Sequence, residues 1–300
     1  MIVDCAIIGG GPAGLNAALV LGRAKRTVLV FDDNKPRNAV TQESHGFLTR
    51  DGVKPDEFRN IAHQEISRYP SVEMRQTRIT NVSRHEDSFE LVTNDGAVFR
   101  AKTIILATGL KEILPAIDCI HEYYGKSLFN CPYCDGWELK DRPLVVICEG
   151  QHAYQMTKGI WNWSRDLLVC TNGHHVLTQE QKEMLQRKEI QVVEDIITTL
   201  VGKNGMLERV VFATHEEIAR EGGFVAPQWL QASSFGIQLE CDLNAMGGTV
   251  TDDFGRTTVS GVYAAGDASV VAPSQLIFAA AAGSKAAAGV NMDLTESEFL

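Results

Sequence analysis

An almost unbroken apolar run over residues 2–8 leads straight into Gly9-x-Gly11-x-x-Gly14. No other feature limits the fold as strongly. A short continuous apolar run suits a parallel strand covered on both faces. The glycines that follow suit a strand-to-helix turn built around a dinucleotide pyrophosphate. The first allows the tight turn, the second lets the backbone approach the phosphates, and the third lets helix and strand pack closely. Pro12 and Ala13 complete the turn and open a helix over 15–24, whose free N–H groups would face the phosphates. A second buried strand over 27–31 ends in Asp32-Asp33. An acid about 20 residues beyond the turn accepts hydrogen bonds from the adenosine ribose. Asp32, 18 residues past Gly14, is the first candidate and Asp33 the fallback.

Further along, residues 34–55 are loop-rich and 55–67 are helical. Strands at 72–75, 79–84, 88–94 and 98–100 are expected to form an antiparallel meander. Another buried strand, 103–107, ends in Thr108-Gly109. A second α/β unit begins near 115, with strands at 144–148, 167–170 and 190–193 and helices at 152–163 and 178–188. Strands and turns alternate over 194–240. The chain then reaches Gly266-Asp267, a small-residue helix at 275–291, and an acidic stretch, 294–300, that reads as a frayed tail. The expected fold class is α/β, with two Rossmann-like, three-layer nucleotide-binding domains. Residues 1–113 and 242–300 form a split FAD-binding domain, and 114–241 form the insert. The distant Thr103–Gly109 and Gly266-Asp267 segments favour FAD over NAD. An extended FAD needs a second contact near its ribityl chain, and Gly266-Asp267, ahead of a glycine/alanine helix, suits that.

The insert carries Cys131-Pro132-Tyr133-Cys134. A CxxC pair in a reducing compartment is catalytic or metal-binding. Structural zinc needs four ligands, yet there is no second CxxC, and His174-His175 are adjacent rather than spaced. The pair therefore reads as a dithiol/disulfide couple, with Asp135 beside it to move the proton that exchange requires. The other five of the seven cysteines, Cys5, Cys119, Cys148, Cys170 and Cys241, read as structural. His45, in the loop over 44–52, is a candidate base near the dithiol. Trp161, Trp163 and Tyr154 could form a docking surface, although 161 and 163 do not share a helical face. The formal net charge of −10 argues against nucleic acid. No apolar run reaches the roughly 18 residues of a membrane span, and no basic leader precedes the first strand. A cytoplasmic location with no membrane partner is expected.

In these motifs the chain resembles the low-molecular-weight thioredoxin reductases over nearly its whole length. The resemblance rests on Gly9–Gly14, Ala107-Thr108-Gly109, the CPYCDG motif at 131–136, and Gly266-Asp267 followed by Gln275. It implies a homodimer, with Cys134 facing the flavin, Cys131 attacking substrate and Asp135 as acid/base. It also implies that Gly266, Asp267 and Gln275 contact the flavin end of FAD. The insert departs from the pattern. Cys148-Glu149-Gly150-Gln151-His152-Ala153 stands where a second GxGxxG/A is expected. Thr171-Asn172-Gly173-His174-His175 stands where Arg residues would grip the NADPH 2′-phosphate. These departures argue against an ordinary NADPH site. They point to thioredoxin-reductase-like dithiol oxidases of the gliotoxin and holomycin type, which the stretch from Arg37-Asn38 through 45–52 also resembles. A second nucleotide-independent group draws electrons from a ferredoxin-type donor. The partner would be a small-molecule dithiol or disulfide, or a thioredoxin-like protein. An NADPH-dependent thioredoxin reductase and a flavin-bound redox sensor without steady turnover stay open.

Overall fold

The computed structural model describes residues 2–270 and 274–300. The chain divides into two compact units. The first comprises 1–39, 46–111 and 229–300, and the second 40–45 and 112–228.

The first unit is built on a seven-stranded sheet. Its parallel part runs Val72–Arg75, Val28–Phe31, Ile2–Ile8, Val98–Leu106 and Val262–Ala264. Two antiparallel strands, Ser88–Thr93 and Ile79–His85, extend it from the early half of Val98–Leu106. Strands buried on both faces need apolar side chains at every position, and Val28–Phe31 and the last four residues of Ile2–Ile8 are all buried. Two expectations are corrected here. Val72–Arg75 pairs parallel with Val28–Phe31 instead of joining the meander, because the helix Pro55–Ile66 makes the crossover that a parallel strand requires. The stretches 98–100 and 103–107 are one strand, antiparallel to a neighbour at its start and parallel at its end.

The helix Pro12–Arg23 starts with proline in its first turn, where a missing N–H costs nothing. It packs on the last helix, Leu276–Phe299, through small residues. A Cβ on Gly283 would lie 2.0 Å from the Ala13 carbonyl oxygen, so the two backbones touch. The expected frayed tail is also corrected, since this helix continues to Phe299. Arg26 donates to Asn291, Thr295 and Glu298, and Arg256 makes a two-pronged pair with Asp293. Leu294 is buried in the same core.

The return to the first unit comes at 229 rather than 242. Phe235, Leu239 and Cys241 already share a core with Ala6, Ile8 and Val262, so the short helix Phe235–Gln238 belongs there.

The second unit has a five-stranded parallel sheet in the order Gln191–Val193, Leu167–Cys170, Leu144–Ile147, Gly222–Val225 and Leu128–Phe129. An antiparallel group, Ile197–Lys203, Met206–Phe212 and Ile218–Ala219, follows it. The helix Gln179–Gln186 opens on a complete capping box between Thr178 and Gln181. Residues 40–45 join this unit through a close approach, since a Cβ on Gly125 would lie 2.4 Å from the Val40 carbonyl oxygen. Among the described residues no helix is long and apolar enough to cross a membrane.

The backbone contact at Gly283 makes a stability prediction. Gly283→Ala should separate the two helices and destabilise the protein by about 1–3 kcal/mol, as overpacking of a tight core does. Thermal unfolding of the variant should show a lowered midpoint.

Candidate active site

In a parallel α/β sheet, ligands bind outside the carboxyl ends of the strands, where the strand order reverses. In the first unit that point is Ile8, flanked by the ends of Val28–Phe31 and Val98–Leu106. Gly9 has φ +115°, and its N–H donates to the Phe31 carbonyl at 2.8 Å. A Cβ there would sit 2.2 Å from the Ala107 oxygen. A Cβ on Gly14 would sit 1.9 Å from the Gly9 oxygen, so that glycine closes helix onto strand. A Cβ on Gly11 would meet nothing within 4 Å. Gly11 therefore borders open space at the start of the helix begun by Pro12 and Ala13. Such a cradle has the shape a dinucleotide pyrophosphate would need, tight at Gly9 and Gly14 and open at Gly11.

The remaining candidates of this unit collect at the same edge. Asp32 follows Val28–Phe31 and lies over the turn, close enough that a Cβ on Gly10 would be 2.6 Å from its carboxylate. Its carboxylate pairs with Arg59. Asp33 comes next and is partly exposed. Ala107 donates to the Ile8 carbonyl at 2.9 Å, Thr108 Oγ1 lies 3.0 Å from Ser233 Oγ, and Gly109 has φ +70°. Gly266, at φ +65°, faces Ala13 and Ala279. Asp267 accepts from Ser274 Oγ at 2.6 Å and from Arg37 Nη2 at 3.3 Å, while Arg37 stacks over Trp229 at 5.1 Å. Gln275 is the extended residue ahead of the last helix. Sequence reasoning missed Arg37, Arg59, Trp229 and Ser274 as site residues. Arg37 stood in the stretch that carried the resemblance, but no spacing rule marked it or the other three.

In the second unit Cys131 and Cys134 are joined as a disulfide, with Cα atoms 5.3 Å apart. Pro132 starts a single helical turn, Pro132–Asp135, and the N–H groups of Cys134 and Asp135 both donate to the Cys131 carbonyl at 3.1 Å. The turn is held from both sides. Asn130, just before it, donates to Glu112 at 2.6 Å and to the Tyr124 hydroxyl at 2.8 Å. Gly136, just after it, packs on the Trp163 ring, which also receives Tyr133 edge-on at 5.2 Å. Trp163 thus supports the redox turn. Trp161 lies between Arg165 and Lys188, at 3.5 and 5.1 Å from its ring. Tyr133 and Trp137 leave an aromatic surface around the disulfide, 75% and 68% exposed.

Asp135 is buried. Burial, reinforced by Glu138 and opposed by His45, raises its carboxyl to about 7. His45 Nε2 lies 3.6 Å from Glu138 and 3.7 Å from Glu43. Cys131, Cys134, Asp135 and His45 are thus gathered in one unit. The remaining cysteines differ in kind. Burial raises the thiols of Cys148, Cys170 and Cys241, and pushes Cys5 to about 12, so these four stay protonated and unreactive. Cys119 is exposed.

The corresponding crevice of the second unit lies beyond Leu144–Ile147, between Leu167–Cys170 and Gly222–Val225. There Glu149 Oε1 accepts from Asn172 Nδ2 at 2.6 Å, and Asn172 Oδ1 accepts from the Ile197 N–H at 2.9 Å. A carboxylate and an amide bridge the two loops that a nucleotide would enter.

Comparison with known proteins agrees with this architecture. The pyridine nucleotide-disulphide oxidoreductase family matches residues 3–284. The TrxB structure of Bacillus anthracis is 47% identical, covers 99% of both chains and superposes with a TM-score of 0.95. The thioredoxin reductase aclD of Aspergillus oryzae is 28% identical over 99% of this chain and 98% of its own length. A relative from Arthroderma benhamiae, called "Probable thioredoxin reductase", is 36% identical over 57% of this chain, and the match spans 44% of that protein.

Asp135 carries a pH signature. Its folded carboxyl is raised to about 7 from an ordinary 3.8, so between those values the folded protein holds a proton that the unfolded chain does not. Stability from this group therefore falls as pH rises through that window, and the penalty is complete above about 7. Asp135→Asn should be more stable than the parent at pH 8 and similar to it near pH 4. Denaturant unfolding at the two pH values tests this.

Proposed function

The chain belongs to the pyridine nucleotide-disulphide oxidoreductase family, and from that premise we propose that it is an FAD-dependent thiol–disulfide oxidoreductase. In this reading it exchanges an electron pair between a substrate dithiol or disulfide and the Cys131–Cys134 couple, without an ordinary NADPH site. The observation that carries it is a disulfide-forming pair flanked by a buried acid that titrates near neutrality. Such an acid can both give and take a proton at working pH.

In the oxidative direction a substrate thiolate attacks Cys131 Sγ. The Cys131–Cys134 bond breaks, a mixed disulfide forms, and Cys134 leaves as the thiolate. The second substrate thiol then attacks the substrate's own sulfur in the mixed disulfide, closing the product and releasing Cys131. The substrate loses two electrons and two protons, and the cysteine pair gains the electrons. Asp135, next to Cys134, takes a proton in one direction and returns it in the other. His45, tied to Glu138 and Glu43, is the second group able to accept a substrate thiol proton. Gly9, Gly11, Gly14, Asp32, Gly266 and Asp267 would hold FAD, which when bound would supply a two-electron store for the pair. Exposed Tyr133 and Trp137 offer an apolar landing for a substrate that carries the sulfurs.

The Glu149–Asn172 bridge supports independence from NADPH. A carboxylate in the crevice repels a pyrophosphate, and no Arg in 171–175 is present to grip a 2′-phosphate. This favours a dithiol oxidase that hands electrons to oxygen, or a reductase supplied by a ferredoxin-type donor. The name of the A. oryzae relative favours a second reading, reduction of a thioredoxin-like protein. A homodimer belongs to the same proposal, supported by Ile277 and Phe278, apolar side chains left exposed at the start of the last helix.

Two outcomes are expected. In an anaerobic titration followed by flavin absorbance, a dithiol such as dithiothreitol bleaches the protein and stoichiometric NADPH does not. Prompt bleaching by NADPH would establish the second reading. Cys131→Ser and Cys134→Ser should each abolish dithiol turnover while FAD remains bound, and Asp135→Asn should slow thiol exchange roughly 100-fold. Full activity in either cysteine variant would overturn the mechanism.

A further inference from the structure

The helix Pro55–Ile66 brings two side chains, Arg59 and His63, onto one face at i,i+4 spacing. Arg59 is buried and its Nη2 pairs with Asp32 Oδ2. Asp32 is itself pressed against the glycine turn at Gly10, and its N–H donates to the Arg75 carbonyl at 3.0 Å. The carboxylate is thus held by its backbone, by the turn and by the guanidinium. Arg59 Nε and His63 Nε2 are buried with no partner among the described residues. Burial, together with the adjacent Arg59, lowers the His63 pKa from its ordinary value, so its ring is neutral at pH 7. Buried polar atoms are nearly always satisfied. Two unpaired nitrogens are thus enclosed on the helix that holds the Asp32 carboxylate against the glycine turn. Neither residue enters the redox chemistry, and neither was singled out from the sequence.

We propose that Arg59 is the positioning residue of the adenosine end. It fixes Asp32 through Oδ2, so that Oδ1 is presented to the ribose hydroxyls of FAD. This rests on the FAD reading above. It also sets a specificity. An Arg committed to a carboxylate is not available to grip a phosphate, and the carboxylate repels one. The site therefore takes a dinucleotide with an unmodified ribose. Without Arg59 the Asp32 carboxylate would lose its charged partner and could turn away from the ribose.

The test uses the full-length apoprotein titrated with FAD, following quenching of flavin fluorescence, with FMN as the probe that lacks adenosine. Arg59→Gln should raise the Kd for FAD by about 10- to 100-fold, the range for losing hydrogen bonds to a charged group. Asp32→Asn should do about the same, and the double variant should be no weaker than the poorer single one. The FMN Kd should stay unchanged in all three. Arg59→Lys, which keeps the charge but not the fork, should fall in between, and it is the variant to read if Arg59→Gln fails to fold by thermal melting. An FAD Kd within twofold of the parent for Arg59→Gln would overturn the proposal. So would equal loss of FMN and FAD, or multiplicative losses in the double variant. Failure of the unaltered protein to bind FAD would instead sink the cofactor reading on which the proposal rests.

Discussion

The structure depends on one kind of contact, the approach of backbone to backbone with no side chain between. Gly9 against Ala107, Gly14 against Gly9 and Gly283 against Ala13 each bring main-chain atoms to distances that a Cβ would forbid. These contacts tie the first strand, the first helix and the last helix into one core, which joins Cys5 and Ile7 from the start of the chain to Val290 and Leu294 near its end. The same contacts leave the space beyond Gly11 open. Close packing behind the turn and an empty face in front of it have a single cause, and they explain why the sequence spends glycine at these positions despite its entropic cost.

The parts of the fold most legible in the sequence were those governed by local pattern. The run at 2–8, the glycine turn, the strand at 167–170 and the CPYC turn each carry their signal within a few residues. The misread parts were decided by tertiary context. Val72–Arg75 alternates like an antiparallel strand, but a helical crossover placed it in the parallel sheet. The 294–300 stretch is acidic and looks like a tail. Arg26 and Lys102, both far away in sequence, hold Glu298 through ion pairs. The boundary near 229 depends on Phe235 and Leu239 finding a core made by residues from the N-terminal half.

The candidate site divides along the same line. The candidates Gly9, Cys131 and Cys134 are marked by motifs a few residues long. Arg37 and Arg59 are not, because each acts through a carboxylate distant in sequence, Asp267 or Asp32. A long-range ion pair leaves no periodicity to detect. His45 falls between these cases. Its loop drew attention, but its approach to Glu138 follows from residues 40–45 packing with the second unit, where Gly125 admits the Val40 backbone.

The two units treat a carboxylate at the corresponding place in the fold differently. Both place a crevice at the carboxyl ends of parallel strands, where the order reverses. In the first, an acid at the edge is held against the turn by Arg59, and the space beyond Gly11 stays open. In the second, Glu149 stands in the turn itself and is held there by Asn172, whose other amide atom is anchored to the Ile197 backbone. Both carboxylates are held in place, one by the Arg59 guanidinium and the other by the Asn172 amide. The sheet beneath the second crevice is as well packed as the first, with every residue of Leu144–Ile147 and Leu167–Cys170 buried. In the same unit the Gly136–Trp163 contact holds the Cys131–Cys134 turn in place.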